Sequence, residues 1–308
     1  MVAPLITNII VFKTKWFDHY LGETMENNVS EPVKKELFHI TTLRELGSNL
    51  PVKPVDSSGQ LLKNCSFSFN EWDMETEEHL SDLQRKSKNV GEFVNKMLGV
   101  LLADFCGVDF QSLKPEEKLL KVSQLEFSNV MYMYMYLRYD ELGSELKFDI
   151  TCPTCKRNIE NFVADLGDLE VHTKDHETEY DIKYELRRPI VLNDVGTITH
   201  IVFGQSKWEA LERQTKDSVA NEGKMKRTMF HSAIKSVEGA NGPFEKFIDL
   251  QTVLSKLKKV DIELAMKAVV ENNAGPHMVV KGQCPHCESE WFRQLDWGYE
   301  SFFDSSSL

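Results

Sequence analysis

The sequence predicts an α+β fold, a helix-rich N-terminal region plus small antiparallel sheets. Three observations carry the prediction. Apolar side chains recur at three-to-four spacing over residues 74–141, and they recur at a spacing of two from residue 146. Two short stretches, "CPTC" at 152–155 and "CPHC" at 284–287, share one design although 128 residues separate Cys155 from Cys284.

Residues 1–73 read as an N-terminal arm and a small β element. The apolar run "PLITNIIVF", 4–12, has no basic stretch before it and no small-residue cleavage signal after it, and it is far short of the ~20 apolar residues that cross a bilayer. It predicts a buried strand or a partner-binding arm in a soluble chain with no secretory address. "LFHITTLREL" and "CSFSFNEW" predict strands, the second with Phe67, Phe69 and Trp72 on one apolar side, and "GSNLPVKPVDSSG" supplies the turns between them.

Residues 74–145 form the helical region. "METEEHLSDLQRKSK" is acidic at its start and basic at its end, as the helix dipole favours. "NVGEFVNKMLGVLLADF" places Phe93, Met97, Val100, Leu101 and Phe105 on one helical face. Pro115 and the two glutamates of "KPEEKLL" suit a first helical turn. In "QLEFSNVMYMYMYLRYDELG" Met and Tyr alternate from 131 to 136, which alone would suggest a strand; the flanking Gln124, Glu126, Leu137 and Arg138 fit a buried amphipathic helix better.

Residues 146–308 form a third unit, with an inserted hairpin and helices at about 172–275. "ELKFDIT", "CPTC" and "RNIENFVADL" read as strand, knuckle, strand, and "HMVVKGQ", "CPHC" and "ESEWFRQLDW" repeat the plan. Within the insertion, Tyr180, Ile182, Tyr184 and Leu186 share one side of a strand, and "GTITHIVFG" follows across a turn, so a hairpin occupies about 178–204. Helices are expected afterwards: one opening at Trp208 and Leu211, one with the stripe Phe247, Leu250, Leu254 and Leu257, and one from a capping Asp261 to the stop at "ENNAG".

The 308 residues are 41% hydrophobic and 27% charged, which is ordinary for a globular chain of one or two domains. A net charge of −12 opposes binding to nucleic acid or anionic lipid unless a local basic patch dominates. "KMKR", 224–227, and "KLKK", 256–259, are the candidates, and each reads as a solvated helix face. Of six cysteines, Cys65 and Cys106 stand alone in apolar surroundings and read as small buried hydrophobes.

The other four, Cys152, Cys155, Cys284 and Cys287, carry the chemistry. A C-x-x-C turn aims two thiolates at one ion, and two such turns fill the four tetrahedral positions that zinc takes in a closed, structural site. Strands around each pair give a split four-cysteine zinc ribbon, so that residues 146–308 become a zinc-ribbon domain holding structural Zn2+. A thioredoxin-type redox pair would open a helix, whereas β-like sequence follows both pairs here; an iron–sulfur cluster could use the same four thiolates. His286 lies inside its knuckle and is expected to face solvent. Closing a loop of this length costs ~4 kcal/mol, against roughly 10–16 kcal/mol of apparent zinc affinity in finger peptides. The metal is therefore able to pin the C-terminal segment to the middle of the chain.

Both knuckle regions are acidic. Residues 145–170 hold six acids and three bases, and residues 276–308 hold five acids and two bases, so each is net −3 and ill suited to phosphate. The aromatic residues Trp291, Phe292, Trp297, Tyr299, Phe302 and Phe303, with few bases among them, suit a protein–protein anchor. No GxxxxGK[ST], GxSxG or HExxH pattern occurs, and "HTKDH", 172–176, with His172 and His176, reads as a surface loop.

"LRYDELGSELKFDITCPTCKRNIENFVADLGDLEV", the second CPxC near the C-terminus and the acidic-aromatic "LDWGYESFF" together resemble the baseplate hub proteins of T-even-type contractile-tailed phages over roughly 124–304, and "FSFNEWDMETEEHL" is similar to the segment before the helices in that family. The resemblance implies a virion protein of the phage tail, synthesised in the host cytoplasm, that serves in the baseplate hub or in tail assembly. It implies contacts with other baseplate hub proteins in a symmetric assembly, no nucleic acid or membrane partner and no catalysis, with the four cysteines as zinc ligands. The alternative is a zinc-ribbon regulator that binds nucleic acid or RNA polymerase.

Overall fold

The computed structural model describes residues 39–54, 62, 65–174, 182–192, 196–204, 206–212, 230, 233–239, 242–244, 253, 255–271 and 274–295. The run at 4–12, "KMKR", His176, Tyr180, Phe247, Leu250, Leu254 and the aromatics beyond residue 296 lie outside them. The expected class is what the structure shows: helices, several small antiparallel sheets, and four cysteines drawn together.

The described chain opens with β1 (His39–Thr42), which leads directly into a helical turn, α1 (Leu43–Leu46). The expected strand over "LREL" is replaced by helix for a local reason. Thr42 and Glu45 form a reciprocal capping box, each side chain accepting from the other's backbone N–H. β2 (Phe67–Phe69) then pairs antiparallel with β3 (Leu102–Phe105), which pairs with β4 (Val108–Asp109).

Between β2 and β3 lie α2 (Met74–Lys86) and α3 (Val90–Leu101), capped by Asp73 and Asn89, whose side chains accept from Thr76 N–H and Glu92 N–H. The helix expected to reach Phe105 ends at Leu101, because Leu102–Phe105 leave it to join the β2 ladder. That pairing also brings Cys65 and Cys106 together, with Cα atoms 4.2 Å apart in a disulfide contact. Cys65 is buried in the apolar core and Cys106, half-buried, packs against it as its neighbour, which corrects their reading as two isolated buried residues.

α4 (Pro115–Ser123) starts at Pro115, with Glu117 accepting from Lys114 N–H. α5 (Phe127–Leu142) is the helix expected over the Met/Tyr stretch, but it is not amphipathic. Its residues from Ser128 to Met135 are all buried, as are Leu137 and Arg138. Each such side chain stabilises the fold by about 1.5–3 kcal/mol if apolar; of the polar ones, Asn129, Tyr132 and Arg138 are bonded to the segments around the helix, whereas the buried Ser128 hydroxyl has no hydrogen-bond partner among the described residues. Asn129 exchanges both amide hydrogen bonds with Val52 (3.0 and 2.8 Å), and Tyr132 donates to Gly47 O at 2.6 Å. Arg138 donates to Gly143 O and Glu145 O and so ties the end of α5 to the next strand.

The ribbon strands follow: β5 (Glu145–Thr151) with β6 (Asn158–Asp165), then β7 (Glu170–Thr173), which lies in a three-stranded sheet between β1 and the short strand Gly275–Pro276. The insertion contains β8 (Ile182–Leu192) and β9 (Gly196–Phe203), the predicted hairpin. The structure extends it where helices were expected, since β10 (Ile234–Gly239) and β11 (Gly242–Phe244) complete a four-stranded sheet ordered β11-β10-β9-β8. The short α6 (Glu209–Glu212) carries Trp208 at its entry into the main core, where the indole donates to Gly91 O at 3.0 Å. A Cβ on Gly91 would lie 2.8 Å from the α6 backbone, so glycine is required for that approach.

α7 (Lys259–Glu271) packs on β8 and closes a second core of Leu186, Ile190, Ile198, Phe203, Val237 and Val269, among others. Asp261 is not its cap. It lies within the first turn, 3% exposed, and accepts from Tyr184 Oη and Arg187 N–H. β12 (Gly275–Pro276) joins β7, and β13 (Val279–Gln283) pairs with β14 (Glu290–Gln294).

Candidate metal centre

Each knuckle is a tight turn at the tip of a two-stranded ladder, and the two turns have the same backbone. Cys152 N–H donates to Arg157 O and Lys156 N–H to Cys152 O, at 2.9 and 3.0 Å; Cys284 N–H donates to Ser289 O and Glu288 N–H to Cys284 O, both at 2.9 Å. The residue after the second cysteine is left-handed in both, with φ 61° at Lys156 and 59° at Glu288. The ladders close at equivalent pairs, Thr151↔Asn158 and Gln283↔Glu290. One local sequence pattern has thus been folded twice, and each copy turns its two sulfurs to the same side.

The two copies face one another. Cys152 Sγ lies 3.7 Å from Cys287 Sγ, and Cys155 Sγ lies 3.7 Å from Cys284 Sγ. All four ligand atoms fall within 4.8 Å of each other, close enough to hold a metal ion, and no other such group of three or more occurs among the described residues. Cys152 and Cys284 are buried, whereas Cys287 is exposed.

The thiols are conditioned by donors on the turns. The Cys155 N–H and then the Ser289 hydroxyl bring the Cys152 thiol down to about 5, so it is a thiolate at neutral pH. The Ser289 hydroxyl, 3.0 Å from Cys287 Sγ, and the Ser289 N–H lower Cys287 as well. Cys155 is opposed: despite the Arg157 N–H, burial and the crowding sulfurs push it up to about 11. Four sulfurs held this close cannot all carry charge without a cation between them.

Behind the sulfurs sits a small apolar core of Ile150, Cys152, Cys284 and Trp291, with Phe148, Ile159, Phe162 and Val280 against it. A bulge in β6 makes this possible. The β5–β6 register shifts between Phe148↔Phe162 and Ile150↔Ile159, and Asn161, at φ 52°, donates its N–H to Asp149 Oδ1. The extra residue puts Ile159 and Phe162 on one face despite their odd spacing. Phe162 meets Trp291 edge-on at 4.7 Å, and the Arg293 guanidinium lies 4.5 Å over the Phe148 ring while donating to Asp149 O. Trp291 also excludes any side chain at Gly282, where a Cβ would come within 2.2 Å of the indole. From this hairpin the chain continues to Leu295, which enters the main core and donates its N–H to Met278 O.

Of the sequence-predicted site residues, the four cysteines converge and His286 is exposed, as expected. His172 is not on a surface loop. It belongs to β7, with Nε2 2.5 Å from Glu170 Oε1 and its ring stacked on His277 at 5.9 Å. Of the two aromatics among the described residues there, Trp291 faces inward and its neighbour Phe292 is exposed. Sequence reasoning missed Ser289, which contacts two of the sulfurs; its signal was the fifth position after the first cysteine, occupied by Arg157 in the other knuckle.

A family model described as T4 bacteriophage base plate protein matches residues 110–304, more than half of the chain and a span that includes both knuckles. Neither a curated protein nor a solved structure matches the chain.

Proposed function

This chain belongs to the T4 bacteriophage base plate protein family, and from that premise we propose that it is a non-enzymatic component of the baseplate hub or of its assembly, in which a structural zinc clamps the C-terminal hairpin to the middle of the chain. The family places it among the structural proteins of the virion tail, in contact with other baseplate proteins. Hub location, zinc, its four ligands Cys152, Cys155, Cys284 and Cys287, and docking within a symmetric assembly are our finer reading.

The observation that carries the reading is the convergence of the four sulfurs inside the family-matched span. A tetrahedron of Zn–S bonds of about 2.3 Å separates its sulfurs by about 3.8 Å, and the two facing pairs stand at 3.7 Å. Zinc bound there would supply the charge that lets all four thiolates coexist, and it would offer no open position for a substrate. Cys152 and Cys155 would hold it from β5–β6, Cys284 and Cys287 from β13–β14. The ion would thereby join two hairpins far apart in sequence, and the second hairpin delivers Leu295 to the main core. A clamp of this kind keeps a docking surface rigid and performs no chemistry. Among the described residues, no helix is long and apolar enough to cross a membrane.

The test has two arms. Metal analysis of the purified chain should return one zinc per molecule, and the chain should co-fractionate with baseplates or their hub precursors. Absence of metal overturns the clamp, and absence from both fractions overturns the hub role.

A further inference from the structure

We propose that the cleft between the irregular middle of β8 and the start of α7 binds an acidic polypeptide segment, taking a carboxylate with an apolar side chain beside it. The reading above enters only as the source of that segment, a neighbouring protein of the assembly.

The cleft has a volume of about 240 Å³. Small-molecule pockets run to roughly 300–1,000 Å³, so this one is sized for one or two side chains. Its cationic wall is Arg188, Lys256 and Lys258, and its apolar wall includes Pro189, Val191 and Leu257. Among the described residues these three have no carboxylate in ion-pair contact, whereas the adjacent Lys259 pairs with Glu263 at 3.4 Å. The one acid of the cleft, Asp261, is buried and already accepts from Tyr184 and Arg187. Three cations thus line one cleft with no carboxylate paired to them among the described residues.

The backbone is arranged to present them. Between Glu185↔His200 and Ile190↔Ile198 the β8–β9 ladder slips, so that four residues of β8 face one of β9. Pro189 has no N–H to give the ladder, and Arg187 N–H goes to Asp261 instead. Bulges of this kind re-aim side chains, and here the bulge faces the positive end of the α7 dipole. Lys256 Nζ is steadied by Val191 O at 3.0 Å, and an ammonium group has two further N–H donors to offer. Val191, 62% exposed, supplies an apolar surface next to those donors. A carboxylate on a polypeptide satisfies both walls. A nucleic-acid backbone offers charge without hydrocarbon, and the acidic knuckle regions repel it.

The experiment is fluorescence anisotropy on the full chain, with a fluorescein-labelled synthetic peptide in which glutamate pairs alternate with leucine. The parent should bind it, more weakly as salt rises, and several-fold more weakly when serine replaces the leucines. Arg188→Glu/Lys258→Glu, with unchanged circular dichroism and melting, should bind at least tenfold more weakly; if that variant does not fold, Arg188→Gln/Lys258→Gln serves. The proposal is overturned if the parent does not bind the peptide, if the variants bind as well as the parent, or if a DNA duplex of equal charge binds more tightly. None of these outcomes bears on zinc content or on co-fractionation with baseplates, so this site and the hub reading stand or fall separately.

Discussion

The first and second knuckles share a turn, a left-handed residue and a pair of hydrogen bonds, yet they are anchored differently. The first sits on a long hairpin that runs out of α5 and on into β7, both packed in the main core. The second sits on a five-residue ladder anchored through Trp291, Leu295 and its two sulfurs. The first knuckle is therefore built by its surroundings, and the second is held by its contacts with the first. A metal joining them would change the second far more than the first.

The largest expected effect follows from that asymmetry. Chelation, or Cys284→Ser, should lower the melting temperature by about 10 °C or more, since a structural ion contributes its binding free energy to folding. Hydrogen exchange should rise across β13–β14 while α5 stays protected; equal loss in both would show that the two knuckles are equally dependent on the metal.

Next in size is Trp291→Ala, at about 3–5 kcal/mol by urea denaturation, because the cavity would open between the hairpins. A Trp291→Ala/Phe162→Ala cycle should give a coupling of roughly 0.5–1.5 kcal/mol, and strict additivity would mean that the rings do not meet.

A smaller effect separates the knuckles at the position where only one carries a hydroxyl beside the sulfurs. Ser289→Ala should weaken zinc binding about tenfold in a competition titration, the usual cost of losing a second-layer donor. Arg157→Ala, at the equivalent position, should leave it unchanged, because Arg157 acts on Cys155 through its backbone N–H, which alanine keeps, whereas Ser289 reaches two sulfurs through its hydroxyl.

The smallest concerns the strand that receives the second hairpin. Burial holds His277 below its ordinary value, and the bond to His172 holds Glu170 below the ordinary carboxylate range. In both cases the unfolded chain binds more protons, so stability falls on acidification. The His277 contribution is complete above about pH 6.5 and declines below it, and that of Glu170 is complete above about pH 4.5. Melting curves from pH 7.5 to 5.5 should show a slight decline that His277→Gln flattens.

Much of this was legible in the sequence where a local rule decides it. Pro115 starts its helix as read, the acidic-to-basic stretch from Met74 is helical, and both C-P-x-C turns form between strands. The errors share a cause. The segment after Leu101 turned to strand because β2 was waiting to pair with it, and Asp261 became a buried acceptor because the β8 bulge offered N–H and O–H donors. The strands β10 and β11 were missed because β10 is stabilised by pairing with β9 and β11 by pairing with β10, not by their own period. On α5 the alternation of Met and Tyr carried no information about a face, because the helix is covered on all sides.

By itself the sequence determined the two C-P-x-C turns and the strands on either side of them, since these depend on residues within a few positions of one another. Only the tertiary structure decided that the knuckles face each other, that the Ser289 hydroxyl reaches a sulfur of each knuckle, and that Arg188, Lys256 and Lys258 share a cleft. Such relations are made by packing between distant segments, where a one-residue bulge reverses the facing of every side chain beyond it.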